Sequence, residues 1–280
     1  MDRKPMSTFS IIIPTYNSEA TLKILLESIH NQSYTDYEVI VVDGDSTDAT
    51  LEIIQKFDSN IPQLVVISEK DRGIYDAMNK GIDLAKGKWL IFMGSDDTFY
   101  NHRVLEKVSE KIEKTCAKVI YGDAFIVGDT GWAKDGAVYD GDFDVNKLLR
   151  QNICHQAMFY NTQFVKEKIG YFNLNYTKSS DWDFNLRCWA LQPFEYVNLI
   201  ISNFAAGGMS TLSTDHTLIS DFVANLQSYF GWSLFDSSLT TPGTWFYPMV
   251  LKKQKERHAF RFKVINFKNK LKKKFKRLLK

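Results

Sequence analysis

The stretch Phe9-Ser10-Ile11-Ile12-Ile13-Pro14-Thr15-Tyr16-Asn17 decides the fold. A short run dominated by apolar and β-branched residues reads as a strand buried on both faces. It breaks at Pro14 into a polar loop. Ser18 is placed to cap a helix in which Leu22, Leu25, Leu26 and Ile29 recur at helical spacing. Val39 to Val42 is a second buried strand, followed by a helix over 47–57. The theme repeats with Leu64 to Ile67, Ile74 to Ala85 and Trp89 to Met93. Strand and helix alternating at this rhythm predict an α/β fold, a mostly parallel sheet with helices on both faces.

In such a sheet, ligands bind beyond the carboxyl ends of the strands. Three polar loops leave those ends: Pro14-Thr15-Tyr16-Asn17, Asp43-Gly44-Asp45-Ser46 and Gly94-Ser95-Asp96-Asp97. They are expected to line one crevice. No glycine-rich dinucleotide fingerprint follows the first strand, and there is no P-loop pattern. Asp96 and Asp97, adjacent after a buried strand, repel unless a cation or hydrogen-bond donors offset them. Mg²⁺ or Mn²⁺ bridging to a diphosphate would do so; a solvated turn or a helix cap is the plainer alternative.

The order of these motifs resolves the choice. Residues 9–17 resemble the opening strand and donor loop of family 2 glycosyltransferases, which have the GT-A fold. Val41-Val42-Asp43-Gly44-Asp45-Ser46-Thr47-Asp48 is similar to that family's second loop, and residues 68–81 to a segment of a bacterial subgroup that builds surface polysaccharides. Gly94-Ser95-Asp96-Asp97 falls where the family's metal motif belongs, with Gly94 in place of an acid.

The resemblance implies a nucleotide-diphosphate sugar donor, a UDP-sugar favoured, held by Pro14, Thr15, Tyr16, Asn17, Asp43, Asp45, Arg72, Asp96 and His155. The Tyr16 ring would pack on the base, Asp43 or else Asp45 would meet the base edge, and Lys70 and Arg72 would lie near the diphosphate. Of Asp96 and Asp97, one would hold the metal, with Mn²⁺ or Mg²⁺ as cofactor, and the other would meet the ribose or a metal-bound water. Ser180-Asp181-Trp182-Asp183-Phe184-Asn185-Leu186-Arg187 resembles the acceptor-side segment, with Ser180 where a Glu is usual. Asp181 would be the general base, Asp183 the fallback, and an N-terminal cap the structural alternative. Cys154-His155-Gln156 resembles a His-Gln pair of the same subgroup, with His155 or Gln156 facing the diphosphate or the sugar. Direct displacement with inversion at the anomeric carbon is what the family implies.

The formal charge of +2 conceals an asymmetry. Residues 252–280 carry 14 Lys and Arg and a single acid, Glu256, a net +13 that leaves −11 on residues 1–251. Apolar residues at 260, 264, 267, 271, 275 and 278 form one helical stripe among these cations. Such a helix can lie on an anionic membrane, with Trp245, Phe246 and Tyr247 as interfacial anchors. Docking on the acidic body and a nucleic-acid arm are the rival readings of the tail; no nucleic-acid partner is expected.

The expected division is a nucleotide-sugar-binding half over 1–125, an acceptor half over 126–235 with hairpins and irregular connections near its start, and a basic helical tail over 236–280. The sequence lacks a stretch of 18 uninterrupted apolar residues or a signal-like start, so neither secretion nor membrane crossing is expected. Cys116, Cys154 and Cys188, with no C-x-x-C pair, read as free buried thiols in a reducing compartment. The resulting expectation is addition of a single sugar to a lipid-linked or oligosaccharide acceptor, by an enzyme peripheral to the cytoplasmic face of the inner membrane. A sugar nucleotidyltransferase and a non-catalytic membrane-binding scaffold are the alternatives. The sequence does not indicate an oligomeric state.

Overall fold

The computed structural model describes residues 7–61, 63–207 and 215–231, and within the tail 252, 263, 264, 267 and 268. The elements run β1 (Phe9–Thr15), α1 (Leu22–His30), β2 (Tyr37–Asp43), α2 (Thr50–Lys56), β3 (Leu64–Ser68), α3 (Ile74–Leu84), β4 (Trp89–Phe92), β5 (Thr98–Phe99) and α4 (Val104–Ile112). There follow β6 (Val119–Val127), β7 (Val138–Tyr139), α5 (Val145–Leu148), β8 (Met158–Asn161), α6 (Thr162–Phe164), α7 (Ser180–Leu191), β9 (Glu195–Ala205) and α8 (His216–Phe230).

One sheet organises the larger unit, residues 1–143 with 152–215. Its strand order is β3-β2-β1-β4-β8-β6-β9-β5, with β7 paired to β6. The first four neighbours are parallel, as their continuous apolar runs require, whereas β8 is antiparallel to both β4 and β6. The parallel half brings Thr15, Asp43 and Ser68 into one row at the strand ends. Both sheet faces are covered. Phe9, Ile11 and Ile13 join the cluster containing Leu22, Leu25 and Leu26 of α1. Ile12 points the other way onto α3, where a Cβ on Gly81 would lie 2.3 Å from its Cγ2.

An aromatic ladder underlies α7. Phe92 meets Tyr160 and Phe172, Phe184 meets Tyr160, and Phe172 stacks on Phe184 with centroids 4.4 Å apart and on Tyr75 at 5.4 Å. This packing fixes the first turn of α7 against the start of α3. The second unit comprises residues 144–151 and 216–280. Within it Asp144 caps α5 by accepting from Lys147 N–H, and α8 buries Leu218, Phe222, Val223, Leu226 and Phe230.

Several expectations change. Ser18 does not cap α1: the helix begins at Leu22, and the Ser18 hydroxyl instead meets Tyr16 O and Ser95 Oγ. The second helix starts at Thr50 rather than 47, because Asp48 accepts from Thr50 N–H and Glu19 N–H and holds the preceding residues as a loop. All three cysteines are free, but Cys116 is exposed rather than buried. The amphipathic tail and Trp245, Phe246 and Tyr247 lie outside the described residues, apart from helical positions 263–264 and 267–268, where Val264 and Phe267 are exposed.

Candidate active site

The three loops predicted to converge are laced together at the strand ends. Asn17, in the left-handed region at φ 47, donates its N–H to Ser46 Oγ and accepts Thr47 N–H on its side chain. Ser18 Oγ and Ser95 Oγ lie 2.9 Å apart. Asp43 is fully buried, and its carboxylate accepts from Ser46 N–H, Ser46 Oγ and Ser68 Oγ. Asp43 thus shapes the loop, while Asp45, at φ 68, is exposed. Thr15 Oγ1 is buried without a hydrogen-bond partner among the described residues. Tyr16 is 62% exposed, and a Cβ on Gly44 would meet Asp71 Oδ2 at 2.8 Å and the Tyr16 ring at 3.4 Å. Gly44 therefore lets Asp71 and Tyr16 approach over the loop, and the sequence had not singled out Asp71. Arg72 is exposed and ion-paired with Asp76 at 3.2 Å.

The Asp96-Asp97 loop is closed by a contact from β9, the strand paired with β5. Asp97, 2% exposed, accepts Ala205 N–H at 3.0 Å, which ties it to the end of β9. Its Oδ2 is buried without a hydrogen-bond partner among the described residues. Burial foremost, and then the Asp96 charge, push the Asp97 carboxyl up to about 7, against the opposing effects of Ala205 N–H, Gln156 and His155. Desolvation also raises the Asp96 carboxyl, although that residue reaches the crevice. Gly94 has a structural reason: a Cβ there would fall 2.6 Å from Asp97 Oδ2 and 2.9 Å from Asp96 Oδ1.

Asp181 stands in the first turn of α7 and is held from three directions. Oδ1 accepts from Tyr75 OH at 2.9 Å, Oδ2 accepts from Asn152 Nδ2 at 2.7 Å, and His155 Nδ1 lies 3.3 Å from Oδ2. The Asn152 amide is oriented in turn: its Oδ1 accepts from Asn185 Nδ2, and Asn185 Oδ1 accepts from Tyr160 OH, each at 2.8 Å. Burial, and then the neighbouring Asp181 charge, push the Tyr75 phenol well up, so it remains a donor. Asp183 is buried and paired with Arg187 at 3.0 Å, and Arg187 also donates to Ile169 O and Tyr171 O. That pairing gives Asp183 a structural task, stapling the preceding loop to α7.

Two recesses meet at Asp181. The smaller, about 80 Å³, is lined by Tyr75, Gly94, Asp96, Asp97 and Ala205 among others. The larger, about 190 Å³, is lined by Trp132, Tyr139, Asn152, Ser179 and Trp182 among others. His155, Gln156, Lys178, Asp181 and Phe204 form a wall common to both. The fold thus brings Asp96, Asp97, His155 and Asp181 together; Pro14, Thr15, Tyr16, Asn17, Asp43, Asp45 and Arg72 line neither recess. Tyr75, Asn152, Lys178 and Trp132 were missed from sequence. Of these, only Tyr75 lies in a segment that carries the family resemblance, residues 68–81.

Among the described residues no three His, Cys, Asp or Glu side chains converge as a metal cage. The donor set nevertheless suits a divalent cation. Asp97 Oδ2 and His155 Nε2 are both buried without a hydrogen-bond partner among the described residues, and Mg²⁺-type ions take one or two carboxylates and complete their shell with phosphate and water.

A model of the family described as Glycosyl transferase family 2 matches residues 10–170. Among curated relatives, a PGL/p-HBAD biosynthesis glycosyltransferase of Mycobacterium bovis is 41% identical over 213 residues, covering 74% of this chain and 80% of its own. The chondroitin synthase of Escherichia coli is 29% identical over 209 residues, covering 74% of this chain and 30% of its own. Among solved structures, S. aureus TarS in complex with UDP-GlcNAc has TM-score 0.68 at 18% identity, over 89% of this chain and 73% of that one. The mannosyltransferase PcManGT of Pyrobaculum calidifontis, in complex with GDP-Man and Mn²⁺, has TM-score 0.54 at 17% identity, over 90% and 70%.

Proposed function

The chain belongs to glycosyl transferase family 2, and from that premise we propose that it moves one sugar from a nucleoside-diphosphate sugar to a hydroxyl of a glycan acceptor, inverting the anomeric centre. The observation that carries this reading is Asp181, a carboxylate shared by two recesses and oriented by Tyr75, Asn152 and His155. A general base must reach both the proton it removes and the centre under attack.

The donor lies with its base toward Tyr16 and the Asp43 loop, and its diphosphate toward Asp96 and Asp97. A UDP-sugar is favoured; the TarS fold, solved with UDP-GlcNAc, is consistent with it. The acceptor enters the larger recess. Asp181 takes the proton of the acceptor hydroxyl as its oxygen bonds to the anomeric carbon. The bond from that carbon to the diphosphate oxygen breaks, and the electron pair leaves with the nucleoside diphosphate. Lys178, which lines both recesses, offsets the charge that develops on the leaving group. A Mg²⁺ or Mn²⁺ ion held by Asp96 and Asp97 would neutralise diphosphate charge when bound. Asp97 holds its carboxylate in place by accepting Ala205 N–H, and His155 braces Asp181 through Nδ1.

The basic stripe of residues 252–280 supports a location on an anionic membrane surface, where a lipid-linked acceptor would be met at the cytoplasmic face. No helix among the described residues is long and apolar enough to cross a membrane. Product analysis tests the reading. Incubation with a panel of nucleotide sugars, with and without Mn²⁺, should release nucleoside diphosphate together with an elongated acceptor. Release of pyrophosphate would mean nucleotidyl transfer instead, and no turnover or binding of any donor would favour a scaffold.

A further inference from the structure

We infer that the larger recess is a subsite for one uncharged pyranose ring of the acceptor, laid against the Trp132 indole with a hydroxyl directed at Asp181. The inference rests on the glycosyl-transfer reading and names the acceptor chemistry of that same site.

Trp132 is 49% exposed, yet it is held on two sides. Its ring lies 4.9 Å from that of Tyr139 and 5.8 Å from that of Phe204. A large aromatic left half in water gives up burial that the fold could have used. The loop presenting it is built rather than slack. Gly128 N–H donates to Asp135 Oδ1 at 2.8 Å, Ala133 N–H to Thr130 Oγ1 at 2.8 Å, and Gly131 N–H to Asp129 Oδ1 at 2.9 Å. The indole is therefore a fixed surface, with little ordering left to be done when a ligand arrives.

That surface is also tied to Asp181. Tyr139 OH donates to Asn152 O at 2.6 Å, and the Asn152 side chain donates to Asp181 Oδ2 at 2.7 Å. Ring platform and carboxylate thus keep a set spacing through one residue.

The lining matches the two-sided character of a pyranose. One face of such a ring is covered by C–H groups and packs on an aromatic surface, while its hydroxyl rim needs hydrogen bonds. Trp132, Tyr139, Trp182 and Phe204 supply the first kind of contact; Asn152 and Ser179 supply the second. Among the described residues, Lys178, His155 and Asp181 are the ionisable groups on the lining besides the Tyr139 phenol and the Cys154 thiol, and no arginine lines it. That makes it ill suited to a phosphate or carboxylate, which would draw on paired cations. At about 190 Å³ the space is below the range typical of drug-sized ligands, which fits one ring rather than a chain of rings.

The test uses the full chain with ¹⁵N-labelled tryptophan indoles, in the presence of UDP and Mg²⁺, titrated with a panel of methyl hexopyranosides and, separately, inorganic phosphate. The Trp132 signal is identified by its loss in Trp132→Phe. At least one pyranoside is expected to shift it, in wild type and in Asp181→Asn alike, while phosphate leaves it in place. In the transfer assay with octyl hexopyranosides, Trp132→Ala should raise acceptor KM about 10-fold and donor KM less than about 2-fold, with Trp132→Phe close to wild type. An indole signal unmoved by every pyranoside, a larger shift with phosphate, or an unchanged acceptor KM in Trp132→Ala would overturn the subsite. Failure of wild type to release nucleoside diphosphate from any nucleotide sugar would instead tell against the glycosyl-transfer reading, and the indole titration separates the two.

Discussion

At the scale of single residues, Asp97 shows how the site is held at a cost to the fold. Ordinary aspartates titrate near 4, whereas this buried carboxyl is pushed up to about 7. Between those values the folded chain keeps a proton that the unfolded chain has released. Stability from this group is therefore present at low pH and lost as pH rises toward and past about 7. In urea denaturation without divalent cation, Asp97→Asn should be more stable than wild type at pH 8, by on the order of 1–3 kcal/mol. The advantage should vanish at pH 4. Equal stabilities at pH 8 would mean that the ionised carboxylate finds compensation elsewhere. Asp43 shows the opposite economy, since its carboxylate accepts from two serine side chains and a backbone N–H at the end of β2.

At the scale of elements, the parallel half was legible because its strands are continuous apolar runs and its helices carry clean 3.6-residue periodicity. Leu22, Leu25, Leu26 and Ile29 are all fully buried, as that spacing requires. Boundaries set by loop hydrogen bonds were not legible: Asp48 holds residues before Thr50 out of α2 by accepting Thr50 N–H and also Glu19 N–H, which lies 29 positions earlier in the chain. For the same reason the sequence exposed Asp96, Asp97, His155 and Asp181 as candidates but not Asn152. The role of Asn152 follows from contacts to α7, a helix that starts 28 positions later in the chain. Gly81 offers a test of the packing. With Ile12 Cγ2 at 2.3 Å from where a Cβ would stand, Gly81→Ala should destabilise the chain by about 1–3 kcal/mol despite the better helix propensity of alanine. A stability gain in urea denaturation would show that α3 sits further from β1 than described.

At the scale of the whole molecule, the charge asymmetry separates an acidic catalytic body from a basic tail. Each cation near an anionic bilayer is worth about 1 kcal/mol. Replacing Lys272, Lys273 and Lys274 by Gln in the full chain should weaken binding to phosphatidylserine vesicles about 100-fold. Binding that does not change would remove the tail from membrane contact. The body stands or falls on its central carboxylate. Single-turnover transfer from a turnover-competent UDP-sugar by Asp181→Asn, measured beside donor affinity by calorimetry, tests this most directly. Asp181 as general base requires a rate lower by about 10²–10⁴-fold with donor affinity within about twofold of wild type. Transfer at the wild-type rate would contradict it.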